Sequence, residues 1–185
     1  EVTIVCDKFS NPEWVASDLI GQAEHDNLAQ CILISKDKKL LQKVNVEIIK
    51  QLKQIPRVSV ARKSLISNGI LMYVNSDKKI IEIVNKIAPE HLELNVKNYK
   101  SYVSKIRNAG SICLGKYAVM AMTEYNVGSN HVLPTNGSAK YSSGISVNEF
   151  YKRISYIKLS KKGIESLGPS VITLANYEGL VGHAQ

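Results

Sequence analysis

Each of the four histidines of the chain accompanies a polar side chain at an apparent end of a helix or strand. Imidazole is the side chain best suited to proton transfer near neutral pH, and it is also the commonest metal ligand. The four combinations are Gln22 with His25, Glu90 with His91, Asn130 with His131, and Glu178 with His183. Their positions in distant segments predict one site assembled from several parts of the chain. A packing or capping role remains the alternative for each histidine taken singly.

Glu90 and His91 directly follow Pro89, ahead of an apolar run that is typical of a strand. Adjacent residues in a strand point to opposite sides of the sheet, but a turn after the stiff proline would bring both side chains to one cleft. There they would supply two proton-transfer groups of different basicity. An exposed pair at the start of a strand, without chemistry, is the alternative.

A second set of residues offers nitrogen and oxygen donors for a metal ion. Gln22 and His25 have a spacing that places both on one side of a helix, although glutamine is an uncommon zinc ligand. Glu124 opens a long loop, and Glu178 and His183 flank a short turn near the carboxyl terminus. Such donors fit a zinc site with at least one position left to substrate.

The elements that must position these residues alternate along the first part of the chain. Apolar runs predict five strands at residues 2–6, 31–35, 70–74, 92–96 and 111–114. Amphipathic segments predict helices between them: one beginning at Asn11 and Pro12, and others at 38–54, 77–87 and 99–108. This alternation predicts a doubly wound, mostly parallel, Rossmann-like α/β sheet.

The alternation stops after Gly115, where residues 116–143 show little hydrophobic periodicity. A loop of this length inside a compact domain is usually functional. Beyond it, the sequence predicts a short helix near 147–152, a strand at 154–158 and a helix at 169–181. We therefore expect an α/β domain at 1–115, a site loop returning to the sheet region at 116–150, and a small helical carboxyl-terminal appendage at 151–185.

The composition argues against several classes of protein. The net charge is +8, but the lysines are scattered over helical segments and are not interleaved with aromatic residues, so we expect no nucleic-acid partner. Three cysteines without a CxxC spacing favour buried thiols over disulfides or a cysteine zinc site. No apolar run could span a membrane and no signal peptide is visible, so we expect a soluble, cytoplasmic protein without a membrane partner.

Several motifs, in order along the chain, resemble the histidinol dehydrogenase family. They are VASDLIGQAEH at 15–25, APEHL at 88–92, NAGSICLG at 108–115, GSNHVLPT at 128–135, YSSGISV at 141–147 and the segment at 178–183. The motifs are specific, and the resemblance covers essentially the whole chain. The resemblance argues against an alternative function, that of an unrelated metal hydrolase with Glu90 as its base.

The resemblance implies oxidation of L-histidinol to L-histidine, the last step of histidine biosynthesis, through an aldehyde. The family uses NAD for two hydride transfers, carries zinc, and forms homodimers in which carboxyl-terminal residues reach the partner's site. The implied proton-transfer residues are Glu90 and His91. The implied zinc ligands are Gln22, His25, Glu124 and His183, and the implied substrate contacts are these four together with His91 and Glu178.

The sequence departs from the family in two respects. The amino-terminal half, which carries the family's NAD-contacting residues, is missing here, so we assign no cofactor-binding residues. Glu124 stands where the family has a ligating aspartate, and this lengthens the arm by one methylene. Two readings follow: a piece of a working histidinol dehydrogenase, or a truncated and inactive remnant that keeps the fold and a zinc site.

Overall fold

The computed structural model describes all 185 residues of the chain. They divide into two compact units, Glu1–Glu149 and Phe150–Gln185, and each is described by itself below. The division into three segments expected from the sequence stays a prediction.

The first unit is built on a five-stranded parallel sheet with the order β3-β2-β1-β4-β5. The strands are β1 (Val2–Cys6), β2 (Cys31–Ser35), β3 (Gly69–Tyr73), β4 (His91–Asn95) and β5 (Ser111–Leu114). The register pairs Val2 with Cys31 on one side and with His91 on the other. The predicted doubly wound, Rossmann-like fold is confirmed, and every strand pair is parallel.

Helices cover both faces of this sheet. They are α1 (Pro12–Ala23), α2 (Lys38–Gln51), α3 (Val58–Asn68), α4 (Asp77–Ile87), α5 (Lys100–Val103) and α6 (Met120–Tyr125). One apolar core lies between the sheet and α1 to α3, and the other lies beneath α4 and α5. Each large aliphatic side chain buried there contributes about 1.5–3 kcal/mol. The three cysteines are free and buried in these layers, as the sequence predicted.

Local signals in the sequence explain where the first helices begin. The Asn11 side chain accepts a hydrogen bond from the backbone N–H of Glu13, and Pro12 occupies the first turn of α1. Asp37 caps α2 in the same way, with bonds from the N–H groups of Lys39 and Leu40. Because these helices have strong caps and the strands beside them are continuously apolar, the sequence predicted this part of the fold.

Three helices differ from the sequence prediction. Helix α3 was not predicted, because its start has no side-chain cap and it buries only Ala61 and Ser64. The predicted helix at 99–108 ends at Val103, because Asn85 accepts hydrogen bonds from the N–H groups of Arg107 and Asn108 and draws the chain away. Helix α6 lies inside the predicted loop, with 3-10 turns at Ser138–Lys140 and Val147–Phe150 after it.

The second unit contains helix α7 (Lys161–Tyr177), followed by a 3-10 helix at Val181–Ala184. The sequence prediction started this helix at Pro169, but Ser160 caps it further upstream by accepting a bond from the Gly163 N–H, and the proline lies inside it. The prediction of a strand at 154–158 was wrong, because those residues have no regular structure. The predicted helical appendage is confirmed. None of the helices has the length and apolar composition needed to cross a membrane.

Candidate active site around His91

A tight turn between α4 and β4 presents Glu90 and His91. Helix α4 ends at Ala88, which adopts a left-handed backbone conformation with φ of 54°. The carbonyls of Pro89 and Glu90 then accept hydrogen bonds from the N–H groups of Gly110 (2.9 Å) and Ser111 (2.8 Å). The start of β5 therefore fixes the backbone of the turn from which both side chains project.

The structure brings Glu90, His91 and Glu124 together. The Nε2 atom of His91 lies 3.9 Å from Oε1 of Glu90 and 3.6 Å from Oε1 of Glu124. His91 is only 4% exposed, and the Glu124 side chain is 10% exposed. The turn thus places the adjacent Glu90 and His91 on one side, where a buried imidazole faces two carboxylates.

Burial decides the protonation of His91. Loss of hydration lowers the pKa of His91 below its ordinary value. The negative charges of Glu90 and Glu124 act in the opposite direction, while the His131 ring adds to the lowering. Because burial prevails, the imidazole is neutral at pH 7 and can accept a proton.

The second ring nitrogen of His91 lacks a partner. Its Nδ1 atom is buried and makes no hydrogen bond within the chain. Buried polar atoms are nearly always paired, so an unpaired one in a native cleft calls for a ligand or water.

Helix α6 supplies Glu124. The sequence placed this residue at the start of a loop, whereas the structure has a six-residue helix that begins at Met120. The Met120 N–H donates a 2.8 Å hydrogen bond to Oε1 of Glu93 in β4. The chain therefore leaves the carboxyl end of β5 and returns along the sheet towards the amino end of β4, where His91 lies.

Glu93 and Asp18 are charged residues beside this cluster that the sequence interpretation missed. Glu93 is two residues after His91 in β4, so both side chains lie on the same face of the sheet. It is only 1% exposed, and burial together with the charge of Asp18 raises its pKa to about 8. Burial also raises the pKa of Asp18 to about 6, although a hydrogen bond with Glu93 acts against this. The sequence signal that could have identified this pair is a glutamate, Glu93, between two leucines of a strand.

Gln22 and His25 lie at the end of α1 and differ in burial. Gln22 is buried in the last turn of α1, whose final residue is Ala23. His25 is exposed in the following turn, where its carbonyl accepts a bond from the Arg57 guanidinium. The N–H of His25 donates to the carbonyl of Gln22, so one more turn continues past the helix. The position of both side chains on one side of the helix stays a prediction.

The zinc ligands implied by the resemblance belong to both units of the chain. Gln22 is buried and His25 is exposed at the end of α1, Glu124 lies in α6, and His183 lies in the second unit. Their donor chemistry suits zinc. The structure contains no group of three or more His, Cys, Asp or Glu side chains that could hold a metal ion. Zinc binding by these residues therefore stays a prediction.

The remaining predicted residues lie in two other places. Glu178 ends helix α7 and His183 lies in the 3-10 helix after it, and both are exposed in the second unit. His131 is exposed in the first unit, close enough to His91 to affect its pKa. The loop around His131 is fixed by neighbouring Asn130, whose side chain donates to the carbonyl of Ile145 and accepts from the Val132 N–H.

A separate cavity of about 570 Å³ lies at the carboxyl ends of β1 to β3. On its wall Asp77 forms an ion pair with Lys36 and accepts a hydrogen bond from the Tyr102 hydroxyl at 2.6 Å. Both interactions lower the pKa of Asp77. Ligands of doubly wound sheets usually bind at this edge, but none of the predicted site residues lies there.

Comparisons with known proteins agree with this fold and sequence. The sequence model of the histidinol dehydrogenase family matches residues 1–185. A histidinol dehydrogenase of Pelagibacter ubique is 82% identical over the whole chain, and one of Listeria monocytogenes is 42% identical. The chain spans 43% of the length of each of these two relatives.

A solved structure gives the same result. The crystal structure of histidinol dehydrogenase from Elizabethkingia anophelis matches 99% of this chain with a TM-score of 0.87 and 40% identity, and the match covers 42% of that protein. A family match along every residue and a close structural match lead to one conclusion: the chain belongs to the histidinol dehydrogenase family.

Proposed function

We propose that this chain carries the proton-transfer part of an enzyme that oxidises L-histidinol to L-histidine with NAD. The observation that carries the proposal is the buried, neutral imidazole of His91 facing the carboxylates of Glu90 and Glu124. Family membership supports the choice of substrate. NAD-contacting residues are outside the proposal for this chain.

In the first oxidation, His91 acts as general base. A hydride can leave the carbinol carbon only as the attached hydroxyl loses its proton, so the base must lie beside that hydroxyl and be unprotonated. His91 accepts the hydroxyl proton and the product is the aldehyde, while NAD, when bound, would supply the acceptor for the hydride. The low pKa that burial gives His91 supports this role.

In the second oxidation, Glu90 activates water. The aldehyde must first add water to become a hydrate, and a carboxylate beside the carbonyl can take the proton of the attacking water. Protonated His91 returns its proton to the carbonyl oxygen as water adds, and the neutral imidazole then accepts a proton from the hydrate as the second hydride leaves, giving the carboxylate of histidine. Each turnover therefore yields two NADH.

Zinc binding is the part of the proposal that rests on the family alone. Zinc would hold the substrate in place and polarise it. Its proposed ligands are Gln22, His25, Glu124 and His183, and the proposed substrate contacts are these residues together with His91 and Glu178. We also propose a cytoplasmic homodimer in which Glu178 and His183 serve the site of a second copy.

The test joins this chain to the amino-terminal remainder of the Pelagibacter ubique relative, which is 82% identical over the matched part. We expect NADH formation with histidinol, two NADH per substrate consumed, and metal analysis showing about one zinc per protomer. The intact relative serves as positive control. An inactive chimaera beside an active control would contradict the proposal and favour the inactive remnant.

A further inference from the structure

Helix α6 is too short to hold its own position. It has six residues, and its N-cap residue Val119 provides no side-chain hydrogen bond to its first turn. Helices of this length are unstable in water without tertiary contacts. The direction in which Glu124 points therefore depends on whatever fixes the start of the helix.

Two contacts made by Met120 fix that start. Its side chain is 3% exposed and belongs to the apolar core against α1. Its backbone N–H donates the 2.8 Å hydrogen bond to Oε1 of Glu93. The apolar contact resists separation of the helix from the sheet, while the hydrogen bond is directional and sets the orientation of the first turn.

Glu93 makes this contact from an unfavourable position. It is fully buried in β4 beside the carboxyl of Asp18. The Oδ2 atom of Asp18 is also buried, and no N–H or hydroxyl group of the chain donates a hydrogen bond to it. Two carboxylates this close cannot both be ionised without a large cost. One proton shared between them removes the repulsion and gives the unpartnered oxygen a donor.

We propose that Glu93, sharing one proton with Asp18, is a positioning residue that anchors the first turn of α6 to β4 and so places Glu124 beside His91. The inference rests on the proposed function for its meaning in catalysis. The placement itself is measurable without turnover, because it concerns a backbone N–H and two side chains of this chain.

The distinction to be made is between positioning and plain core packing. If Glu93 only filled space, an apolar side chain would serve as well or better, because it avoids burying a polar group. If Glu93 positions α6, Glu93→Gln must serve and Glu93→Leu must fail. Glutamine keeps the carbonyl that accepts from Met120 and adds an N–H₂ group that can donate to Asp18.

The experiment uses the 185-residue chain and two NMR readouts at one pH. The first is the hydrogen-exchange rate of the Met120 amide. The second is the change in the His91 ring nitrogen shifts caused by Glu124→Gln, measured in each Glu93 background. Asp77→Asn is the matched control, because it alters a hydrogen-bonded carboxylate at the opposite edge of the sheet.

We expect Glu93→Leu to speed exchange of the Met120 amide by about tenfold or more and to abolish the response of His91 to Glu124→Gln. Glu93→Gln and Asp77→Asn should leave both readouts close to those of the parent. Unchanged readouts in Glu93→Leu, or losses in Glu93→Gln as large as those in Glu93→Leu, would overturn the proposal.

A variant with a shorter arm covers the case in which Glu93→Leu does not fold. Glu93→Asp keeps a carboxyl group but withdraws it by one methylene from the Met120 N–H, so amide exchange should again accelerate. Unchanged exchange in this variant would overturn the proposal. Lack of turnover by the chimaera would contradict the proposed function and leave these readouts unaffected, so the two failures are distinguishable.

Discussion

The Oε1 atom of Glu124 lies 3.6 Å from Nε2 of His91, although the first residue comes from helix α6 and the second from the start of strand β4. Between these two residues the chain forms β4 and β5 and then returns along the sheet to α6. This return places the site at the amino end of β4. Doubly wound proteins usually bind ligands at the carboxyl ends of the strands, where this chain has a separate cavity near Asp77.

Replacing the proposed base should lower turnover without unfolding the protein. In the chimaera with the Pelagibacter ubique relative, we expect His91→Asn to lower kcat for histidinol by about 10² to 10⁴-fold, because asparagine cannot accept the hydroxyl proton. Steady-state NADH formation measures this. Asp77→Asn, at the other edge of the sheet, should keep the parental kcat. A His91→Asn enzyme with parental kcat would exclude the proposed role.

Replacing Glu90 should separate the two oxidations. Glu90→Gln keeps the size of the side chain but cannot take a proton from water, so hydration of the aldehyde should slow by about 10²-fold while the first oxidation continues. We expect close to one NADH per histidinol in a short reaction, against two for the parent. Quenched samples analysed for aldehyde and histidine provide the measurement. Equal slowing of both steps would contradict the division of roles between Glu90 and His91.

The close packing of Gly110 against the turn gives a prediction about stability. A Cβ on Gly110 would lie 2.6 Å from the carbonyl oxygen of Glu90, a distance at which the backbone must move. We expect Gly110→Ala to destabilise the chain by about 1–3 kcal/mol and to displace Glu90. Urea unfolding measures the loss.

Gly21→Ala is the matched control for that substitution. Gly21 lies inside α1, and a Cβ there would meet no atom within 4 Å. Alanine has the higher helix propensity, so this variant should be more stable by about 0.5–1 kcal/mol. Similar unfolding curves for the two variants would show that the Glu90 turn has room to relax.

The sheet was predictable from the sequence because its signals are local. Continuous apolar runs, the Asn11 cap and Pro12 act over a few residues, and they gave the strands and α1 almost to the residue. The meeting of Glu90 and His91 in one cleft was also predictable, because the two residues are adjacent and follow a proline. The structure places the two side chains close together, and this prediction depended on only one turn.

The rest of the site depends on contacts between distant segments. Helix α6 depends on the hydrogen bond that the Met120 N–H donates to Glu93, so the local sequence of this segment predicts a loop. His25 is exposed beyond Ala23, the last residue of α1, and no strong stop signal marks that end. Asp18 and Glu93 acquire their properties only from being buried against each other. Periodicity describes single elements and contains no information on such pairs.

The buried carboxyl pair predicts an unusual dependence of stability on pH. In the unfolded chain Asp18 and Glu93 have ordinary pKa values of 3.8 and 4.5, and burial raises them to about 6 and about 8 in the folded protein. Between these values the folded state holds protons that the unfolded chain has released. The free energy of unfolding therefore falls as pH rises, by at most about 1.4 kcal/mol per pH unit for each such proton. The contribution of Glu93 is fully favourable below about pH 4.5 and lost above about pH 8.

Glu93→Gln isolates this effect. His91 acts in the opposite direction, because its lowered pKa makes the folded state gain stability as pH rises towards 6.5. That contribution is common to the parent and the variant, so it cancels in their difference. Urea unfolding between about pH 5 and about pH 8 should show the variant gaining stability relative to the parent as pH rises. A difference that stays constant across this range would mean that Glu93 has released its proton in the folded protein, and the shared proton of the Asp18–Glu93 pair would have to be abandoned.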